Sequence, residues 1–247
     1  MGLGKVIRKV ANKVLHPLHW EVVKAPHIKN SRLNMGDGLY RAAEHGIEVG
    51  TIIDVGASDG KWSKMALKRF SSANVLAFEP LEERRGDLEK VKSTCHGFDF
   101  VLAVAGDSQG ETRLHVASDL DGSGVCESEG DQSRKVPMTT IDHEVRTRGL
   151  PGPYLIKLDT HGFELPILDG AVETIRQSNL IIIEVYNFKL NERCLRFHEM
   201  CEHMESLGFR CYDLVDPLLR ARDKALWQMD MFFAPVETGI FENACYQ

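Results

Sequence analysis

Ile52-Ile53-Asp54-Val55-Gly56-Ala57-Ser58-Asp59-Gly60 runs from an apolar strand into a glycine turn, and residues 61–70 behind it read as a helix. Glycines let the backbone turn tightly and approach a ligand, and the start of a helix offers free N–H groups. The spacing is Asp-x-Gly-x-x-x-Gly, so the dinucleotide fingerprint Gly-x-Gly-x-x-Gly is absent. Trp62 follows Gly60-Lys61 where a phosphate-binding loop would carry Ser or Thr for magnesium. An acid just before the turn repels a pyrophosphate. It suits a ligand carrying positive charge, an ammonium or a sulfonium.

Outward from this unit, apolar runs at 51–55, 75–78, 98–105, 154–158, 180–185 and 210–214 read as strands. Helical stretches at 60–70, 82–93, 163–177 and 191–207 lie between them. Several runs are too continuously apolar to keep one face wet, which predicts a sheet covered on both sides. Strand alternating with helix predicts an α/β fold with a doubly wound, mostly parallel sheet. Residues 112–116 and 135–141 read as shorter strands bracketing a loop. A last strand at 229–234 is expected at the edge, antiparallel. The organisation is a helical N-terminal extension over 1–48 and one domain over 49–247.

Ligands of such sheets bind beyond the carboxyl ends of the strands. There the second strand delivers Ala77-Phe78-Glu79-Pro80, with Glu79 nineteen residues after Gly60. A carboxylate at that place can accept both hydroxyls of a ribose, and Pro80 and Leu81 offer a shelf to a base. An adenosine with a cationic tail is S-adenosylmethionine. The expected donor-binding set is Asp54, Gly56, Ala57, Ser58, Gly60, Glu79, Pro80, Leu81 and Ala105.

In these blocks the chain resembles the FkbM-type family of S-adenosylmethionine-dependent methyltransferases, within the Rossmann-like class I. The resemblance runs from about residue 51 to 235. It rests on the two blocks above, on Ile156-Lys157-Leu158-Asp159-Thr160-His161-Gly162-Phe163-Glu164, on Ile183-Glu184-Val185 and on Gln228-Met229-Asp230-Met231-Phe232-Phe233. The Lys-x-Asp-x-x-Gly-x-Glu pattern is the family's own mark. Ser58 stands where the family commonly has Asn, and His161 where an acid is commoner. The resemblance implies a class I fold and methyl transfer, with a bias towards O-methylation of sugar or natural-product hydroxyls.

Charged residues at the end of a buried strand are costly unless paired or used. Asp159, His161 and Glu184 are therefore the expected catalytic residues. Asp159 would face the transferred methyl, His161 would act as general base near neutral pH, and Glu184 would complete the acceptor site. Asp159, Glu184 and Asn187 also form a possible magnesium ligand set of the kind O-methyltransferases use. A structural Lys157–carboxylate pair is the plainer alternative for this cluster.

Composition narrows the class. Hydrophobic residues make up 43% and charged residues 27% of 247, which excludes wholesale disorder. A net charge of −6 argues against a general binder of nucleic acid. Residues 1–29 hold Lys5, Arg8, Lys9, Lys13, Lys24 and Lys29 against Glu21 alone, on an amphipathic pattern. That segment fits a helix capping the domain, or one resting on an anionic membrane surface from the cytoplasmic side. Six cysteines without a CxxC pair read as reduced thiols of a cytoplasmic protein. Cys194, His198 and Cys201, on one helix without a second arm, make a poor zinc site. Asp119 to Gly124 opens like a calcium loop, but Gly130 stands where the bidentate Glu belongs. Residues 117–134 thus read as a mobile loop at the site mouth. The expected partner is a small-molecule or glycan acceptor. A noncatalytic module on this fold, or a nucleotide-cofactor oxidoreductase, are the competing functional classes.

Overall fold

Every residue of strand β1 (Thr51–Val55) is buried, because parallel neighbours flank it and helices cover both faces. In the computed structural model, which describes residues 33–127, 130 and 132–245, β1 pairs with β2 (Asn74–Phe78) on one side and with β8 (Tyr154–Leu158) on the other. The basic stretch over 1–29 lies outside the described residues. Helix α1 (Met35–Glu44), N-capped by Asn34, buries Leu39 and Ala42 in the domain core.

The main sheet has seven strands, ordered β10-β11-β9-β8-β1-β2-β3. Here β3 is Phe98–Val101, β9 is Ser178–Tyr186, β10 is Phe209–Leu219 and β11 is Leu226–Pro235. Period two sorts the side chains into two cores. Ile52, Ala77, Leu155, Ile182 and Phe232 pack with α1, α2 (Lys61–Leu67) and α3 (Arg85–Thr94). Ile53, Phe78, Ile156, Ile183 and Phe233 face the opposite layer. That layer comprises α4 (Ile141–Arg148), α5 (Glu164–Asp169), α6 (Val172–Ile175) and α7 (Phe197–Ser206).

The doubly wound, mostly parallel sheet is as expected, and its antiparallel strand is present one place further in. β11 lies between β9 and β10, so β10 forms the edge. Two facts explain the order. The short link over 220–225 makes β10 and β11 a hairpin, and β11 is the more apolar of the two. It buries Met229, Met231, Phe232, Phe233 and Ala234, whereas β10 leaves Leu218 and Leu219 exposed.

Other boundaries also move for local reasons. The strand expected over 135–141 stops at Thr139, because the Thr140 hydroxyl accepts the His143 amide and starts α4. The stretch 163–177 is two helices separated at Gly170, where a side chain would strike the Gly106 carbonyl. The helix expected from 191 begins only at Phe197, so Cys194 lies outside it. A second, four-stranded sheet is ordered β4-β7-β5-β6: Val104–Ala105, Ser133–Thr139, Gly110–His115 and Gly124–Val125. It carries the segment 117–127 to the mouth of the cavity described next. No helix among the described residues is long and apolar enough to cross a membrane.

Candidate active site

The carboxyl ends of β1, β2, β8 and β9 open into one cavity of about 360 Å³. Six of the nine expected donor-binding residues line it: Gly56, Ser58, Glu79, Pro80, Leu81 and Ala105. So do Asp159, His161 and Glu184. Asp54, Ala57 and Gly60 do not; they build the turn from behind. Ala57 is buried in the core, and Gly60 starts α2 against Val91. Asp54 accepts the Ser63 hydroxyl at 2.5 Å and leaves its second oxygen buried without a partner. Burial pushes its carboxyl up to about 6.

The glycine turn has a steric origin. Gly56 adopts φ +81, and a Cβ there would lie 2.1 Å from the Asp159 carbonyl oxygen. The ends of β1 and β8 can therefore close on each other only without a side chain at this place. The amides of Gly56 and Ala57 donate to Phe78 at 3.0 and 3.1 Å, which brings Glu79 alongside. Glu79 is held at both oxygens: Ser58 N–H donates to one at 2.8 Å and Leu81 N–H to the other at 2.9 Å. Burial raises its carboxyl to about 7, against those bonds.

The chemical half is a row of charges on one sheet face. Asp54 follows Ile52, Lys157 follows Leu155, and Glu184 follows Ile182, each two residues on; Asp230 pairs in register with Glu184. Lys157, almost fully buried, donates to Asp159 at 2.6 Å and lies 3.8 Å from Asp230. Burial alone would lower its pKa, but Asp159 and Asp230 outweigh that and raise it. Burial pushes Asp159 up as well, and the Lys157 charge overcomes it, holding the carboxyl below its ordinary value. Asp230 is raised to about 7 by burial.

His161, in the left-handed region at φ +55, has both ring nitrogens engaged. Nδ1 donates to the Tyr186 hydroxyl at 2.8 Å and lies 3.3 Å from Glu184; Nε2 donates to the Asp121 carbonyl at 2.9 Å. The Glu184 carboxylate lifts the imidazole to about 9 despite burial. That shift favours the imidazolium over the free base at neutral pH. Tyr186 O–H and the Gln228 amide both donate to Glu184, one to each oxygen. Glu164 fixes the turn that presents His161, accepting the Gly162 amide at 2.9 Å and the Thr160 hydroxyl at 3.1 Å.

The ligand atoms of Asp159, His161 and Glu184 lie within 4.8 Å of one another, yet the set does not fit magnesium. That ion takes an octahedron of oxygens. Here Glu184 is occupied at both oxygens, His161 at both nitrogens, and Lys157 already holds one Asp159 oxygen. Asn187, the third member of the proposed ligand set, turns away. Its side chain donates to the Leu226 carbonyl at 3.3 Å, outside the cavity lining.

Four contributors lay outside the expected site: Arg84, Asp121, Tyr186 and Gln228. Tyr186 follows Glu184 by two positions on a strand, which places both on one face. The calcium-like stretch is otherwise engaged: Asp119 accepts the Gly122 amide, and Asp121 accepts from Ser58 and Arg84.

A family model, the methyltransferase FkbM domain, matches residues 54–211, more than half of the chain and every element that bounds the cavity's chemical groups up to β10. The chain belongs to the FkbM methyltransferase family. A curated relative, hexuronic acid methyltransferase AglP from Haloferax volcanii, is 24% identical over 133 residues, 54% of each protein. The chain thus spans about half the length of that relative. Among solved structures, the Methanococcus jannaschii fibrillarin pre-rRNA processing protein aligns at TM-score 0.48 and 13% identity, covering 76% of this chain and 67% of that one. Burkholderia thailandensis 1,6-didemethyltoxoflavin-N1-methyltransferase aligns at TM-score 0.45 and 12% identity, covering 94% and 88%. At such scores the topology described above carries the fold assignment.

Proposed function

We propose that this FkbM-family protein transfers the methyl group of S-adenosylmethionine to a hydroxyl of a sugar or glycan. One observation carries the reading: Glu79, oriented at both oxygens, and Asp159, paired with the Lys157 ammonium, face a single cavity, the first on the donor side and the second at the chemical end. Glu79 would hold the ribose, Pro80 and Leu81 the base, and the turn at Gly56 the amino-acid tail. The donor supplies a methyl group already activated on a sulfonium. The acidic lining of Glu79, Asp159 and Glu184 complements that cation.

The protein then has to place a hydroxyl in line with the methyl, and positioning of this kind can contribute up to about 7–11 kcal/mol. Asp159, fixed by Lys157, would orient the hydroxyl and receive its proton as the new C–O bond forms. His161 and Tyr186 would hold Glu184 as a rigid acceptor wall. A sugar acceptor is favoured by the Haloferax volcanii relative, a hexuronic acid methyltransferase. The test is labelled methyl transfer to a panel of neutral sugars, uronic acids and oligosaccharides, with the methylated atom located by NMR. Methylation confined to nitrogen or carbon would overturn the O-methyl reading, and labelling of no saccharide would overturn the sugar class.

A further inference from the structure

Within the described part of segment 117–127, Asp121 touches both halves of the cavity. One carboxylate oxygen accepts the Ser58 hydroxyl at 2.8 Å and the Arg84 guanidinium at 2.5 Å. Its main-chain carbonyl accepts His161 Nε2 at 2.9 Å. Ser58 in turn holds Glu79 through its amide, and His161 reaches Tyr186 and Glu184. A single residue therefore joins the donor turn to the chemical groups.

The segment around Asp121 is braced within itself, Leu120 N–H donating to Ala117, Ala117 N–H to Ser123 and Gly122 N–H to Asp119, and beyond Asp121 it is tied outward by Cys126 N–H to the Arg113 carbonyl and by the Glu127–Arg193 ion pair. Its sheet anchorage is the two-residue strand β6. Leu120 and Val125 nevertheless roof the cavity. The Asp121 side chain is 70% exposed while its partner Arg84 is 16% exposed, so a solvent-facing carboxylate docks on a fixed cation. Such half-exposed pairs are weak and readily broken. Arg84 Nε is buried without a partner, which leaves that guanidinium incompletely satisfied by the protein alone. Ser58, Leu120 and His161, three non-glycine residues in left-handed backbone, all lie at this junction, and strain of this kind collects where geometry is held for a purpose.

We infer that Asp121 is a positioning residue that closes the 117–127 segment over the bound methyl donor and, in the same movement, sets the His161–Tyr186–Glu184 relay. The inference rests on the donor site assigned above. Closure brings the Asp121 carbonyl to His161, whose ring also faces Glu184, Tyr186 and Asp159, with Lys157 behind Asp159. Departure of the demethylated product then requires the Ser58 and Arg84 contacts to break.

S-Adenosylhomocysteine binding to the full chain tests this without any acceptor. Asp121→Ala keeps the main-chain carbonyl and removes the carboxylate, and at 70% exposure it should leave the melting temperature unchanged. Its stopped-flow release of S-adenosylhomocysteine should be about three- to tenfold faster than wild type, with Asp121→Asn intermediate. Arg84→Ala combined with Asp121→Ala should be less than additive, because both remove one contact. In the wild type, S-adenosylhomocysteine should shield Glu127 from a Glu-specific protease and sharpen the His161 Nε2 proton in NMR spectra. Asp121→Ala should lose both effects. Release and protection equal to wild type in Asp121→Ala, or strict additivity with Arg84→Ala, would overturn the inference. A wild-type chain that binds no S-adenosylhomocysteine would instead remove the donor site, and the inference with it.

Discussion

Lys157 Nζ lies 2.6 Å from Asp159 Oδ2 and 3.8 Å from Asp230 Oδ1, at the sheet end where β1, β8 and β11 deliver their acids. One buried cation thus offsets several carboxylates. Such a pair stabilises little relative to apolar packing, but removing one partner leaves an uncompensated charge. Lys157→Met should cost about 3–5 kcal/mol in chemical denaturation, while Asp159→Asn should cost less. Asp159→Asn should act on turnover instead, lowering kcat far more than donor affinity, as expected of an interaction made in the transition state. Equal losses in kcat and affinity would assign Asp159 to binding.

Glu79→Ala should weaken S-adenosylhomocysteine binding on the order of 30- to 100-fold, since two ribose hydroxyls would lose a charged acceptor. The same change frees the Ser58 and Leu81 amides, so Glu79→Gln is the cleaner variant, retaining an oxygen for one of them. Calorimetry on both variants checks the assignment. Unchanged affinity in each would move the ribose elsewhere.

His161 titrates near 9 in the folded protein, against 6.5 unperturbed. The folded state binds this proton more tightly, so its stabilisation is complete below about pH 6.5 and is lost as pH rises through about 9. Melting temperatures of wild type and His161→Asn should therefore converge across that window. Turnover should show a basic limb near pH 9, absent in His161→Asn. An acidic limb assigned to His161 would instead restore it as the base.

Activity should survive exhaustive EDTA and gain nothing from added magnesium, because Glu184, His161 and Asp159 are already bonded to protein groups. Loss with EDTA and recovery with magnesium would show that those bonds rearrange around an ion.

The central strands could be read directly: β1 and β8 fall on residues 51–55 and 154–158 because each is a fully buried run of five whose only charged members are Asp54 and Lys157. Position in the sheet was less legible. Whether β11 lies at the edge or inside depends on which hairpin arm carries more apolar surface, a comparison between strands. Gly56 was legible as a turn glycine, and the structure adds a steric reason that no local reading gives: a side chain there would strike the Asp159 carbonyl, 103 positions along the chain. The loop carrying Asp121 was legible as one at the site mouth, but what Asp121 bonds to was not. Its partners stand 63, 37 and 40 positions away, and an acidic glycine loop gives no local sign of which of them it meets.

The place of β11 bears on synthesis at the ribosome. This strand follows the rest of the main sheet in chain order, yet it covers the outer edge of β9 and supplies Gln228 and Asp230 to the neighbourhood of Glu184. While residues 226–235 are still being made, the nascent chain presents β9, with Leu180, Ile181, Ile182 and Ile183, as an open apolar edge. Edges of that kind recruit other chains. The same strand that brings Gln228 to Glu184 is thus the one whose late arrival sets how long that edge stays open.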